Sequence, residues 1–186
     1  MSRQFYYLVS TLPMLRFDAE PALSTETFLA QCRQQLPPDR CSDLEGVGLA
    51  LHGSPCCRAE ARWQAFETCV RNVFVRIRAA ARGIAPAPWL AEETDVWPGA
   101  ARRIEEAMKQ QNPAERERAL DRLRWDFLED LTVGHRFDFD GLVVYRLQLL
   151  LAEKRAARST AEGEEVLAHL VGHVFQQAER KRTLSE

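Results

Sequence analysis

Residues 124–153, RWDFLEDLTVGHRFDFDGLVVYRLQLLLAE, decide the fold. They read as the end of one helix, a stop at Gly134 and a second helix. In the second half, Leu142, Val143, Val144, Tyr145, Leu147, Leu149, Leu150 and Leu151 leave only Arg146 and Gln148 as polar interruptions. A helix that is apolar on nearly every side needs neighbours on every side. Burying each such side chain is worth roughly 1.5–3 kcal/mol, so this segment carries more driving force than any other of similar length and is expected to be the central helix. Asp138 is placed to cap it, and Asp140 suits its positive first turn.

Upstream, Asn112 and Pro113 form a cap and first residue for a helix over 113–133, with Leu120, Leu123, Phe127 and Leu131 on one face and Trp125 and Leu128 alongside. A helix over 98–111 precedes it. Residues 83–98, GIAPAPWLAEETDVWP, carry three prolines and no sustained period, which predicts a loop or tethered flap. The longest periodic helix spans 58–82: Trp63, Phe66, Val70, Val73, Ile77 and Ala81 recur at spacings of three or four, and Gly83 supplies the stop.

Nearer the N-terminus, a helix over 39–51 is weakened by Gly46 and Gly48, and another runs from a Ser24 or Thr25 cap to about Leu36 before Pro37 and Pro38. Residues 5–12 suit either a short strand or the first turns of a buried helix. Beyond the central segment, a last helix over 160–181 turns Val166, Leu167, Leu170, Val174 and Phe175 inward. The expected architecture is all-α: one helical domain over 1–186, an irregular bundle around a central buried helix, with at most one short N-terminal strand.

At 186 residues, 46% hydrophobic and 28% charged with a net charge of -2, the chain is of ordinary globular composition, and no basic excess argues for nucleic acid. Five cysteines without a secretory leader point to a reducing cytosol. The longest apolar run covers half of the roughly 20 residues that a membrane span requires, so no integral membrane segment is expected.

No complete active-site constellation emerges. His169 and His173, four apart on one helix face, have the spacing of a metal pair, but Leu170 stands where HExxH has Glu and no third ligand is assigned. A metal-dependent hydrolase on that pair is the alternative reading, and a free-standing helical adaptor is another. Cys56 and Cys57 are adjacent and unsuited to sharing a tetrahedral ion. Asp126, Glu129, Asp130, Asp138 and Asp140 crowd carboxylates around one turn, with Arg122, Arg124 and Arg136 expected to pair with them at the surface. No phosphate loop or GxSxG elbow is present. Neither a catalytic residue nor a cofactor is expected.

Two blocks carry a family resemblance. The first comprises Tyr6 to Val9 with Leu12 and Pro13, then Ser24 with Phe28. The second comprises Arg124, Trp125, Leu128, Glu129, Leu131, Gly134, His135, Phe137 and Asp138, ahead of the apolar helix. Together they resemble a small uncharacterised helical family encoded in bacterial operons for V-type (A/V-type) ATPases. The resemblance implies a non-catalytic subunit, or an assembly or accessory factor, of that ion-transporting complex, standing in for or accompanying the stalk component that links the rotor shaft to the membrane ring. Its partners would be other V-type ATPase subunits and its place the cytoplasm, peripheral to the cytoplasmic face of the inner membrane. Arg136 and Arg146 depart from the neutral or acidic residues equally expected there, and no contact residue is carried over. The surfaces suited to a partner are the flap with Trp89 and Trp97, and the acidic turn with Glu129, Asp130, His135, Asp138 and Asp140.

Overall fold

The central helix forms because its first turn is capped from within and its sides are apolar. In the computed structural model, which describes residues 5–51, 53–94 and 97–158, it is α7, Phe139–Arg158. Asp138 Oδ1 accepts a hydrogen bond from the Gly141 N–H at 3.0 Å, and the Asp138 carbonyl accepts from Leu142 at 3.3 Å. Leu142, Val143, Val144, Leu147 and Leu149 are fully buried in the main core. Glycine costs a helix roughly 1 kcal/mol relative to alanine. Gly141 is nevertheless required, because a Cβ there would collide with the carbonyl of His135.

The helices around it are α1 (Tyr6–Thr11), α2 (Thr25–Arg33), α3 (Pro38–Gly46), α4 (Arg58–Arg82), α5 (Ala100–Met108) and α6 (Pro113–Leu131), and no strand occurs among the described residues. The N-terminal alternative is thereby resolved as a helix. Phe5, Leu8, Val9 and Leu12 face the core, and that spacing of three, one and three is helical rather than alternating. Ser24 caps α2 through the Thr27 N–H, and Asn112 caps α6 through Ala114. α4 ends in a Schellman arrangement, with Gly83 left-handed at φ 66° and the Ile84 and Gly83 N–H groups on the Ala79 and Ala80 carbonyls.

Three expectations are corrected. The helix over 39–51 is shorter: α3 ends at Gly46 because buried Arg146 of α7 donates to the carbonyls of Glu45 and Val47, at 2.9 and 2.7 Å. Those acceptors are no longer available to extend the helix. Along α4, Ile77 and Ala81 face outward. Asn72 and Ala79 are buried beside the expected Val70 and Val73, and Asn72 is engaged by the segment that follows, through Ala91 and Glu93. Arg124 does not pair with the acidic turn. It points across to α4, holding Glu67 at 2.7 and 3.1 Å and buried Asp121 at 3.0 Å. Burial alone would lower the Arg124 pKa, but its bonds to Glu67 and Asp121 outweigh that and raise it above its ordinary value.

The chain divides into two compact units, Met1–Ala152 and Glu153–Glu186. Of the second, residues 153–158 continue α7. The expected helix over 160–181, with His169 and His173, lies outside the described residues. No described helix is long and apolar enough to cross a membrane.

Candidate partner-binding site

Most of the predicted partner-facing residues lie where α6 turns into α7, beside the start of α4. The turn is built from local bonds. Thr132 closes α6 with its hydroxyl on the Glu129 carbonyl, the His135 N–H bonds to the Thr132 carbonyl, and Gly134 takes φ 83°. His135 Nδ1 then lies 2.6 Å from Asp138 Oδ2 and 3.8 Å from Asp140 Oδ2.

Asp140 has a longer reach. α4 begins at a cysteine, Cys57, whose side chain makes no capping bond. Asp140 Oδ1 supplies the missing acceptor, taking the Ala59 N–H at 2.9 Å from 81 residues away, while Glu60 takes the Cys56 N–H at 2.7 Å. A carboxylate at this N-terminus also meets the positive end of the helix dipole. Burial, and then the neighbouring Asp140 carboxylate, push the Cys57 thiol from an ordinary 9.0 up to about 12, so it is a poor nucleophile.

His135, Asp138 and Asp140 offer ligand atoms within 4.8 Å of one another, a donor set of the kind that binds divalent cations. In both aspartates, however, one oxygen already accepts a backbone N–H, and the remaining oxygen of Asp138 is engaged by His135. The geometry is that of a capping hub joining the turn, α7 and α4.

Beside this hub lies a small cleft of about 150 Å³, lined in part by Arg58, Trp97, Asp130, His135 and Asp140. Trp97 forms one wall. Its ring packs on Phe66 and Phe127, which stack on each other at 4.5 Å, and its other contacts are the Arg103 guanidinium at 4.4 Å and Asp130, which accepts from Nε1 at 3.0 Å.

Glu129 faces elsewhere. It accepts a bond from buried Trp125 at 2.7 Å and lines a second, larger cleft of about 510 Å³ with Val9, Leu12, Arg136, Leu142 and Gln148. Trp89 is on neither wall: it ends a 3₁₀ turn over Ala87–Trp89 and is 51% exposed. Four of the seven predicted residues thus share the small cleft, Asp138 stands behind them, Glu129 belongs to the other cleft and Trp89 stands apart.

Two features escaped sequence reasoning. Asn72, fully buried, bonds both backbone groups of Ala91 and the carboxylate of Glu93, tying the 83–98 segment to α4. Gln148 lines the larger cleft. For each the available signal was the same: an amide side chain inside a run of otherwise core-forming residues.

The described residues define an all-helical protein whose candidate site is a pair of clefts flanking one helix–helix turn. Residues 100–178 are similar to a family described as a protein of unknown function, DUF2764. That match takes in α5, α6, the turn and α7. No curated protein and no solved structure matches the chain.

Proposed function

We propose that the chain is a non-catalytic helical subunit, or an assembly or accessory factor, of a bacterial V-type ATPase, held at the cytoplasmic face of the inner membrane through the complex. One observation carries this reading. The two blocks on which the resemblance rests, about a hundred residues apart in sequence, adjoin in space. The Phe5 N–H donates to the Phe137 carbonyl at 2.7 Å, the Tyr6 and Phe137 rings meet at 4.8 Å, and the Tyr145 hydroxyl donates to the Pro13 carbonyl at 2.9 Å. Motifs that converge on one face are what a shared docking surface requires.

The exposed apolar side chains around that face support the same reading. Tyr7 is 73% exposed, Val133 78% and Met14 82%. A stable contact buries about 800 Å² on each partner, and this face offers apolar anchors for one.

The test is affinity purification of the tagged chain from its native host. V-type ATPase subunits are expected to co-purify in stoichiometric amount, and Tyr7→Ala combined with Val133→Asp is expected to lower their recovery. Recovery of the tagged chain from both soluble and membrane fractions without any ATPase subunit overturns the proposal.

A further inference from the structure

The last turns of α4 concentrate positive charge. Residues 68–91 hold four arginines, Arg71, Arg76, Arg78 and Arg82, and no acid, in a chain whose net charge is -2. Of the acids flanking that stretch, Glu93 is taken by Arg76 at 3.0 Å and Glu67 by Arg124, which leaves exposed Glu92 against the other three arginines. Arg71, Arg78 and Arg82 are exposed and form no ion pair among the described residues. Their spacing of seven and four puts them within about 40° of one another around the helix, a single stripe.

Exposed apolar side chains stand beside this stripe. Ile77, 37% exposed, and Ala81 occupy the neighbouring strip of α4. Past Gly83 the chain reverses: the Ile84 N–H bonds the Ala79 carbonyl, and Ala91 is already back at Asn72, so residues 84–91 run beside the same turns. They bring up Ile84, 45% exposed, and Trp89 on a loop that Pro86 and Pro88 stiffen and the 3₁₀ turn closes.

We propose that this end of α4 rests on a bilayer surface rich in anionic phospholipid, with Trp89, Ile84 and Ile77 entering the headgroup region and Arg71, Arg78 and Arg82 meeting the phosphates. A guanidinium pairs with phosphate oxygens, and an indole settles at the boundary between water and hydrocarbon. Basic and large apolar side chains together mark a surface that lies on a membrane rather than crossing it, and no described helix is suited to cross. A nucleic acid needs a wider basic footprint, and the rest of this chain carries an excess of acid. An acidic protein surface would answer the arginines but leave the indole and the isoleucines facing charge. The inference does not rest on the ATPase reading, in which the chain reaches the membrane through other proteins; lipid vesicles contain none, so the two can fail separately.

The experiment floats the purified full chain with vesicles of phosphatidylcholine alone, or of phosphatidylcholine with an equal part of phosphatidylglycerol. Each arginine near an anionic surface strengthens binding about fivefold, so three are expected to favour the anionic vesicles about a hundredfold. Added salt is expected to weaken that binding. Trp63 and Trp125 are buried, so quenching of tryptophan fluorescence by brominated lipid reports chiefly on Trp89 and is expected to be mostly lost in Trp89→Phe. Arg78→Glu combined with Arg82→Glu is expected to weaken binding about twentyfold or more, whereas Arg78→Lys with Arg82→Lys keeps it. The proposal is overturned by no flotation with anionic vesicles, by equal affinity for both kinds, or by quenching that survives Trp89→Phe undiminished. Saturable binding of poly-glutamate by a chain that ignores anionic vesicles assigns the stripe to an acidic protein and also overturns it.

Discussion

Two of the connections between the described helices are built in contrasting ways. Between α4 and α5 the chain spans residues 83–99 with one short 3₁₀ turn and is held at separate places: Asn72 bonds Ala91 and Glu93, and Trp97 packs on Phe66 and Phe127 and bonds Asp130. Between α6 and α7 it needs far fewer residues. There the bonds are distributed over Thr132, His135, Asp138 and Asp140, and Gly141 leaves room for only a hydrogen atom. The first connection is a tether fastened at separate points; the second is a locked joint in which backbone and side chains over-determine one conformation. Surfaces fixed in this second manner suit recognition, because little ordering entropy remains to be lost on binding.

The contrast is broken most severely at Gly141. Gly141→Ala places a methyl group against the His135 carbonyl, a backbone atom that cannot move without opening the turn. A loss of about 3 kcal/mol is expected in urea unfolding. A variant that unfolds like the wild type would mean that the joint is looser than described. Next in size is Asn72→Ala, which strands both backbone groups of Ala91. About 2 kcal/mol should be lost, and hydrogen exchange at the Ala91 amide should accelerate while exchange at Gly141 is unchanged. Equal acceleration at both sites would erase the distinction between tether and joint.

A smaller effect is expected at Asp140. Removing its carboxylate in Asp140→Ala deprives the Ala59 N–H of its acceptor, at a cost of about 1 kcal/mol. Exchange should quicken at the first turn of α4 as well as at α7, since one side chain serves both. The cysteines sharpen the comparison through pH. Cys57, in contact with the joint, has its thiol pushed to about 12 by burial and then Asp140, while Cys69, facing the tether, is raised by burial and then by Glu93. The unfolded chain ionises Cys57 near 9 and the folded chain does not. Stability from this group is therefore complete below pH 9 and declines as pH climbs toward 12. At pH 8, iodoacetamide is expected to alkylate Cys57 on the order of a hundredfold more slowly in the folded protein than in urea. The smallest change belongs to Trp89→Ala on the exposed tip of the tether, with less than about 0.5 kcal/mol expected in thermal unfolding.

How much of this was legible depended on the distance between cause and effect along the chain. The span of α4 could be read because its apolar period and the Gly83 stop are local. The same holds for the Asp138 cap, three residues from the N–H it accepts. By contrast, the early end of α3 is imposed by Arg146, about a hundred residues away, and the fastening of 83–98 by Asn72 on another helix. Nothing near Gly46 or Ala91 announces either. The candidate site was legible in part for the same reason. The acidic turn was visible as a cluster, but its division between the clefts depends on distant partners: Trp97 bonds Asp130 in one, while Glu129, bonded within α6 to buried Trp125, lines the other. Gln148 read as an interruption of an apolar run, because only the assembled fold brings it to the lining of the larger cleft.

The borrowed start of α4 has a consequence for synthesis. Ala59 leaves the ribosome 81 residues ahead of Asp140, a lead of roughly 4–16 s at 5–20 residues per second. Throughout that interval the 25-residue helix has a cysteine where an acceptor belongs, and its first turn is free to fray. Nascent chains stalled before Asp140 should therefore leave Cys56 and Cys57 more open to alkylation than chains released after it, in which both are half-buried.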